Sequence, residues 1–146
     1  MPKILKPVAM NKCLGCFTCM NVCSIVNQKN HSINKSAIKV RTTGGMTSSF
    51  IAIVCLGCRE PACMEVCPSN ALEMRRHGNG AGYGVRLKAD KCIGCRKCET
   101  VCIMRAINFD SETKKPIICR HCGMCAQFCP HNCLQMIEAE EAVRNA

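Results

Sequence analysis

Four runs of closely spaced cysteines constrain this chain more than any other feature. The last is the plainest: Cys119-Arg-His-Cys122-Gly-Met-Cys125-Ala-Gln-Phe-Cys129-Pro130. Three thiolates separated by two residues each, a fourth after three more and then a proline form the spacing that ligates a cubane [4Fe-4S] cluster. The short steps wrap a loop around one face of the cube. The fourth cysteine is expected to sit at the start of a helix pointing away, and therefore to serve a second cluster. The other runs are Cys13-Leu-Gly-Cys16-Phe-Thr-Cys19-Met-Asn-Val-Cys23, Cys55-Leu-Gly-Cys58-Arg-Glu-Pro-Ala-Cys63-Met-Glu-Val-Cys67-Pro68 and Cys92-Ile-Gly-Cys95-Arg-Lys-Cys98-Glu-Thr-Val-Cys102. Such motifs work in pairs, each completing the other's cluster, so four motifs predict four [4Fe-4S] clusters.

Seventeen cysteines among 146 residues is a density found in disulfide scaffolds and metal-loaded proteins. Residues Met1 to Met10 contain no long apolar run and no twin-arginine pair, so the chain is expected to be cytoplasmic, where structural disulfides do not persist. Metal is therefore preferred over a disulfide framework. Zinc is the poorer metal, because its structural sites use two well-separated ligand pairs. No stretch approaches the roughly eighteen apolar residues of a membrane helix, and no direct membrane insertion is expected. With no Trp, one Tyr (Tyr83) and four Phe, aromatic packing contributes little to a core.

The formal charge of +10 counts the cysteines as neutral thiols. A cubane core of charge about +2 on four thiolates carries about −2, so four clusters leave a holoprotein of about +2. The Lys and Arg excess thus compensates buried anionic clusters, and without interleaved aromatic residues a nucleic-acid partner is not expected.

Between the motifs the chain reads as short elements. Residues 20 to 29 continue as a short helix, 27 to 36 as a polar loop, and Ala37 to Thr42 as a strand that turns at Gly44-Gly45 into a second strand, Thr47 to Val54. A basic, glycine-rich link from Arg75 to Gly82 leads to a strand at Tyr83 to Leu87 and could touch a partner. A further strand ends at Phe109, followed by a polar turn from Asp110 to Pro116. The segment from Leu134 to Ala146 is charged and reads as a helix docked on the surface. Four residues after the final ligand stand Ala71, Ala106 and Cys133, each followed by Leu72, Ile107 or Leu134. Cys133 therefore occupies a slot for a small buried side chain and is not expected to be a ligand.

No catalytic constellation is present. His31, His77, His121 and His131 lack zinc spacing, and His131 reads as a helix-start residue. Neither a phosphate loop nor a dinucleotide fingerprint occurs. Arg59, Arg96, Lys97, Arg120 and His121 fall inside the loops, where a cation would stabilise a reduced cluster. Link lengths leave the motif pairing open: neighbouring motifs could pair, or the second could pair with the third inside a nest.

The whole chain resembles the four-cluster iron-sulfur subunits of molybdenum and tungsten oxidoreductases. The carrying motif is CLGCREPACMEVCP, with its widened middle gap and Pro61-Ala62 before the third cysteine. The resemblance implies an α+β fold of two interleaved ferredoxin-like modules, each built for two [4Fe-4S] clusters with short hairpins and short helices: residues 55–102 inside, and 1–54 with 103–146 outside, as one iron-sulfur unit over 1–146. It also implies nested ligand sets: Cys13, Cys16, Cys19 and Cys129; Cys55, Cys58, Cys63 and Cys102; Cys92, Cys95, Cys98 and Cys67; Cys119, Cys122, Cys125 and Cys23. The chain is shorter than the dimethyl sulfoxide reductase type, and its compact fourth motif, CRHCGMCAQFCPHNCL, looks more like the small polyferredoxin subunit of tungsten-containing aldehyde oxidoreductases.

The implied role is non-catalytic electron transport. Electrons would pass between a large tungsten- or molybdenum-pterin catalytic subunit and ferredoxin, a flavin- or nicotinamide-reducing subunit, or another copy of the chain. Alternatives sharing the motifs are a subunit of a dimethyl sulfoxide reductase or formate dehydrogenase type enzyme, of a hydrogenase or of carbon monoxide dehydrogenase, and a free polyferredoxin.

Overall fold

Each cysteine loop is entered and left by a short strand. The structure, a computed structural model, describes residues 2–46, 49–76 and 82–140. In chain order the elements are β1 (Lys3–Pro7), α1 (Thr18–Gln28), β2 (Lys39–Thr42), β3 (Phe50–Ile53), α2 (Ala62–Glu65), β4 (Leu72–Arg76), β5 (Gly82–Leu87), α3 (Lys97–Val101), β6 (Asn108–Phe109), β7 (Pro116–Ile117), α4 (Met124–Gln127) and β8 (Leu134–Glu138). The fold is a small α+β arrangement.

Among the described residues the sheets are four antiparallel pairs: β2 with β3, β4 with β5, β6 with β7 and β8 with β1. The strand leaving one loop pairs with the strand entering the next, and the last strand closes on the first. That cyclic order ties both ends of the chain to the loops. The Gly44-Gly45 turn occurs with both residues at positive φ, joining β2 and β3 as their sequence predicts.

Helices α2, α3 and α4 span only four or five residues, too short to persist alone. They are held by packing, α1 against α4 and α2 against α3. The core is divided in the same way. Leu5, Met20, Ile38, Val40, Val54 and Leu134 enclose Cys23, Cys119 and Cys125, whereas Leu72 and Ile107 enclose Cys98, with Cys63, Cys67 and Cys102 packed against them. Cysteines are therefore much of the core, and little aromatic surface is needed.

Three expectations are corrected. The segment from Leu134 is a strand up to Glu138, and helix begins only at Ala139; residues 141–146, like His77 and the centre of the glycine-rich link, lie outside the described residues. Alternation is the reason: Leu134 is buried and Gln135 exposed, and the segment matches β1 in register from Lys3 opposite Glu138 to Pro7 opposite Leu134. Second, the fourth cysteine does not start a helix. Cys23 lies inside α1, and Cys67, Cys102 and Cys129 follow the ends of α2, α3 and α4. Third, His131 stands in a turn.

Candidate iron-sulfur centres

Left-handed backbone positions recur in all four loops and aim them inward. The residue before each second cysteine has positive φ: Gly15 at 69°, Gly57 at 62°, Gly94 at 72° and His121 at 52°. A second reversal follows that cysteine at Phe17, Arg96 and Gly123, the residues that precede α1, α3 and α4. The widened second loop enters α2 from extended Pro61 instead. Either route sets the third cysteine, Cys19, Cys63, Cys98 or Cys125, in the first turns of a helix.

A third reversal, at Asn70, Arg105 and Asn132, comes just before the small buried slot. There the Ala71 N–H donates to Cys67 Sγ at 3.3 Å, and the Cys133 N–H to Cys129 Sγ at 3.4 Å. The first loop reaches the same contact by another path. Helix α1 runs on to Gln28, the chain returns, and the Ala37 N–H donates to Cys23 Sγ at 3.4 Å. Ala37 is thus the fourth member of the slot, buried like Ala71, Ala106 and Cys133. Alignment of the repeats misses it because of the intervening residues, although Ala37-Ile38 before a strand repeats the Ala-aliphatic signal.

Thiol electrostatics report which cysteines share a neighbourhood. Burial first, then Cys129, Cys13 and Cys16, push Cys19 up to about 11. Cys63 is raised to about 12 by burial and by Cys55, Cys102 and Cys58, with Cys98 beyond them. Cys98 is raised to about 11 by burial and by Cys95 and Cys92. Burial raises Cys125 to about 12, with Cys23, Cys122 and Cys19 adding to it. Cys119 is raised by burial, with Cys55, Cys125 and Cys23 as its charged neighbours. Two outer positions go the other way. Cys16 is lowered, chiefly by the Thr18 hydroxyl at 3.4 Å. Burial pushes Cys67 up, but hydrogen bonds from Ser69 and the Ala71 N–H outweigh it and leave it lowered.

Two hollows lie at the loops. One is lined by Cys13, Cys16, Cys19 and Cys129, with Leu14, Phe17 and Pro130. The other is lined by Cys67, Cys92, Cys95 and Cys98, with Ile93 and Phe109. These surroundings fit a cubane cluster: four soft thiolate donors, apolar walls and N–H groups aimed at sulfur. Among the described residues no group of three or more His, Cys, Asp or Glu could hold a single metal ion. A cubane demands less convergence, because its thiolates bind four different irons. Cys133 also lines the first hollow. Burial, with Cys129 and Cys13 beside it, pushes its thiol up to about 12.

The loop cations divide. Arg59 donates to the Tyr83 hydroxyl at 3.1 Å and lies 5.4 Å from its ring centre. Arg96 lies 4.8 Å from the Phe109 ring centre and 3.4 Å from Glu99. Lys97 and Arg120 are exposed, while His121 is buried.

Each of the four loops thus carries four thiols along a strand-loop-helix path. Residues 54–106 match the family described as a 4Fe-4S dicluster domain, and residues 118–136 the family described as a 4Fe-4S binding domain. The chain is 30% identical to the beta subunit of an NADH-dependent phenylglyoxylate dehydrogenase from Aromatoleum evansii, over 86% of this chain and 28% of that one. It is 29% identical to an uncharacterized ferredoxin of Methanocaldococcus jannaschii, over 96% of this chain and 77% of the relative. With one component of an anaerobic dimethyl sulfoxide reductase from Haemophilus influenzae it shares 26% identity, over 89% of this chain and 71% of that component. Two segments of the chain thus match 4Fe-4S domains, and the chain is similar to components of oxidoreductases. Among the described residues no helix is long and apolar enough to cross a membrane.

Proposed function

We propose that this chain is a non-catalytic electron-transfer subunit that carries four [4Fe-4S] clusters in a row and docks to a pterin-metal catalytic subunit. The observation that carries this reading is the pattern of thiol neighbours, which supports the nested sets: Cys129 beside the first loop's thiols, Cys102 beside the second's, and Cys23 beside the fourth's. Cys67 lines one hollow with Cys92, Cys95 and Cys98, which supports its place in the third set. The dicluster match over 54–106 supports an inner module of residues 55–102, and the α1–α4 and α2–α3 packing supports the same nesting.

The sets also have an order. Cys63 feels Cys98, Cys119 feels Cys55 and Cys125 feels Cys19. The third-loop set therefore adjoins the second, the second the fourth, and the fourth the first. Bound [4Fe-4S] clusters supply one-electron carriers. The chain's own residues hold them in sequence, exclude water with Ile38, Val54 and Leu72, and direct the N–H groups of Ala37, Ala71, His121 and Cys133 to cysteine sulfur. Such hydrogen bonds stabilise extra negative charge and raise the potential.

The compact fourth motif favours a tungsten-containing aldehyde oxidoreductase as the partner, and the similarity to a dimethyl sulfoxide reductase component favours a molybdenum enzyme as the second reading. Anaerobic purification of the complex from its native cells, with elemental analysis, decides between them. Retained tungsten with about sixteen irons per chain supports the first, molybdenum the second. Iron near twelve, or no large subunit, contradicts the proposal.

A further inference from the structure

His121 stands where the other three loops carry glycine. Gly15, Gly57 and Gly94 precede the second cysteine at positive φ, and His121 adopts the same backbone conformation at 52°, one that a side chain disfavours. Its side chain is buried between loops. The backbone N–H of Leu5 in β1 donates to His121 Nδ1 at 3.1 Å. The opposite edge of the ring faces two glycines: a Cβ built on Gly57 would lie 3.4 Å from Nε2, and one built on Gly84 in β5 would lie 3.4 Å from both Nε2 and Cδ2. Those glycines leave room for an imidazole.

The ring's position coincides with a junction between ligand sets. The His121 N–H donates to Cys119 Sγ at 3.4 Å, and burial raises Cys55 against the opposing effect of the Gly57 N–H. Cys119 and Cys55 meet in one apolar cluster, and Cys55 is among the charged neighbours that raise Cys119. The imidazole thus belongs to the residue whose N–H bonds Cys119, and it packs against Gly57, two residues after Cys55.

We propose that His121 is a positioning residue that sets the separation and electronic coupling of the second-loop and fourth-loop centres, at the passage between the two halves of the molecule. This rests on the reading that both loops hold clusters. Glycine at this position would restore the backbone of the sister loops while removing the spacer. Asparagine tolerates positive φ and can present an acceptor to the Leu5 N–H.

The test uses the full-length chain, isolated anaerobically with its iron and reduced with dithionite, as wild type, His121→Gly and His121→Asn. Iron per chain is measured beside the spin-spin splitting in the electron paramagnetic resonance spectrum. The expected result is unchanged iron in all three, loss of one splitting component in His121→Gly and its recovery in His121→Asn. Full iron with an unchanged spectrum in His121→Gly would overturn the proposal. So would a loss of iron confined to His121→Gly, since the residue would then build a centre and not space two of them. A wild-type chain below about sixteen irons would instead remove the cluster reading, and the proposal with it.

Discussion

The third and fourth loops have the same cysteine spacing and different surroundings. In the third, Ile93 is 69% exposed and Cys92 borders an open hollow. In the fourth, Cys119 and His121 are buried, and β1, β5 and β7 close around them. Spacing therefore fixes which atoms can bind iron. Depth is fixed by the strands that converge on the loop, so in the proposed row equal motifs become an end and a middle.

The largest contrast is expected from removing one thiol in each loop. Cys92→Ser and Cys119→Ser should each lose about four irons. Loss at Cys119 should also divide the remaining carriers into two groups that no longer exchange electrons, whereas loss at Cys92 should leave three that do. Freeze-quench spectroscopy of the partly reduced chain checks this, and equal behaviour of the two variants would erase the difference between end and middle.

Gly94 sharpens the comparison from the other side. A Cβ there would meet the Lys114 carbonyl oxygen at 2.8 Å, at φ 72°, so Gly94→Ala should destabilise the holoprotein by about 1–3 kcal/mol. Anaerobic thermal melting measures that. A cost near zero would mean that the third loop is not pinned to the 110–116 turn.

Acidity gives a smaller, graded effect. Cys63 and Cys125, raised to about 12, keep their protons at neutral pH, while Cys16 is lowered. Iron binds thiolate, so each buried thiol must release its proton on ligation, and assembly is favoured as pH rises. Reconstitution with ferrous iron and sulfide should go further at pH about 8.5 than at about 6.5, with proton release seen by pH-stat. Equal extents at the two values would contradict proton release on ligation. Smallest of all, Cys133→Ala should leave iron unchanged and cost less than about 1.5 kcal/mol, because alanine fills the same slot elsewhere. Loss of iron would make Cys133 a ligand.

Local signals were legible and long-range ones were not. Spacing selected the cysteines, Gly44-Gly45 marked a hairpin, and alignment of Ala71, Ala106 and Cys133 found the buried slot. The strand at Leu134–Glu138 was hidden because its partner, Lys3–Pro7, lies at the other end of the chain, beyond any local pattern. Ala37 was hidden by the long return from α1. The role of His121 depends on Leu5, Gly57 and Gly84, three residues far apart in sequence that the fold brings to one ring.

The most direct test of the nested row is iron analysis of Cys13→Ser, Cys129→Ser and the double variant, with Mössbauer spectra to count intact cubanes. The nested sets assign both cysteines to one cluster, so each single variant and the double should retain about twelve irons. A double variant with about eight would put the two residues on different clusters and contradict the row.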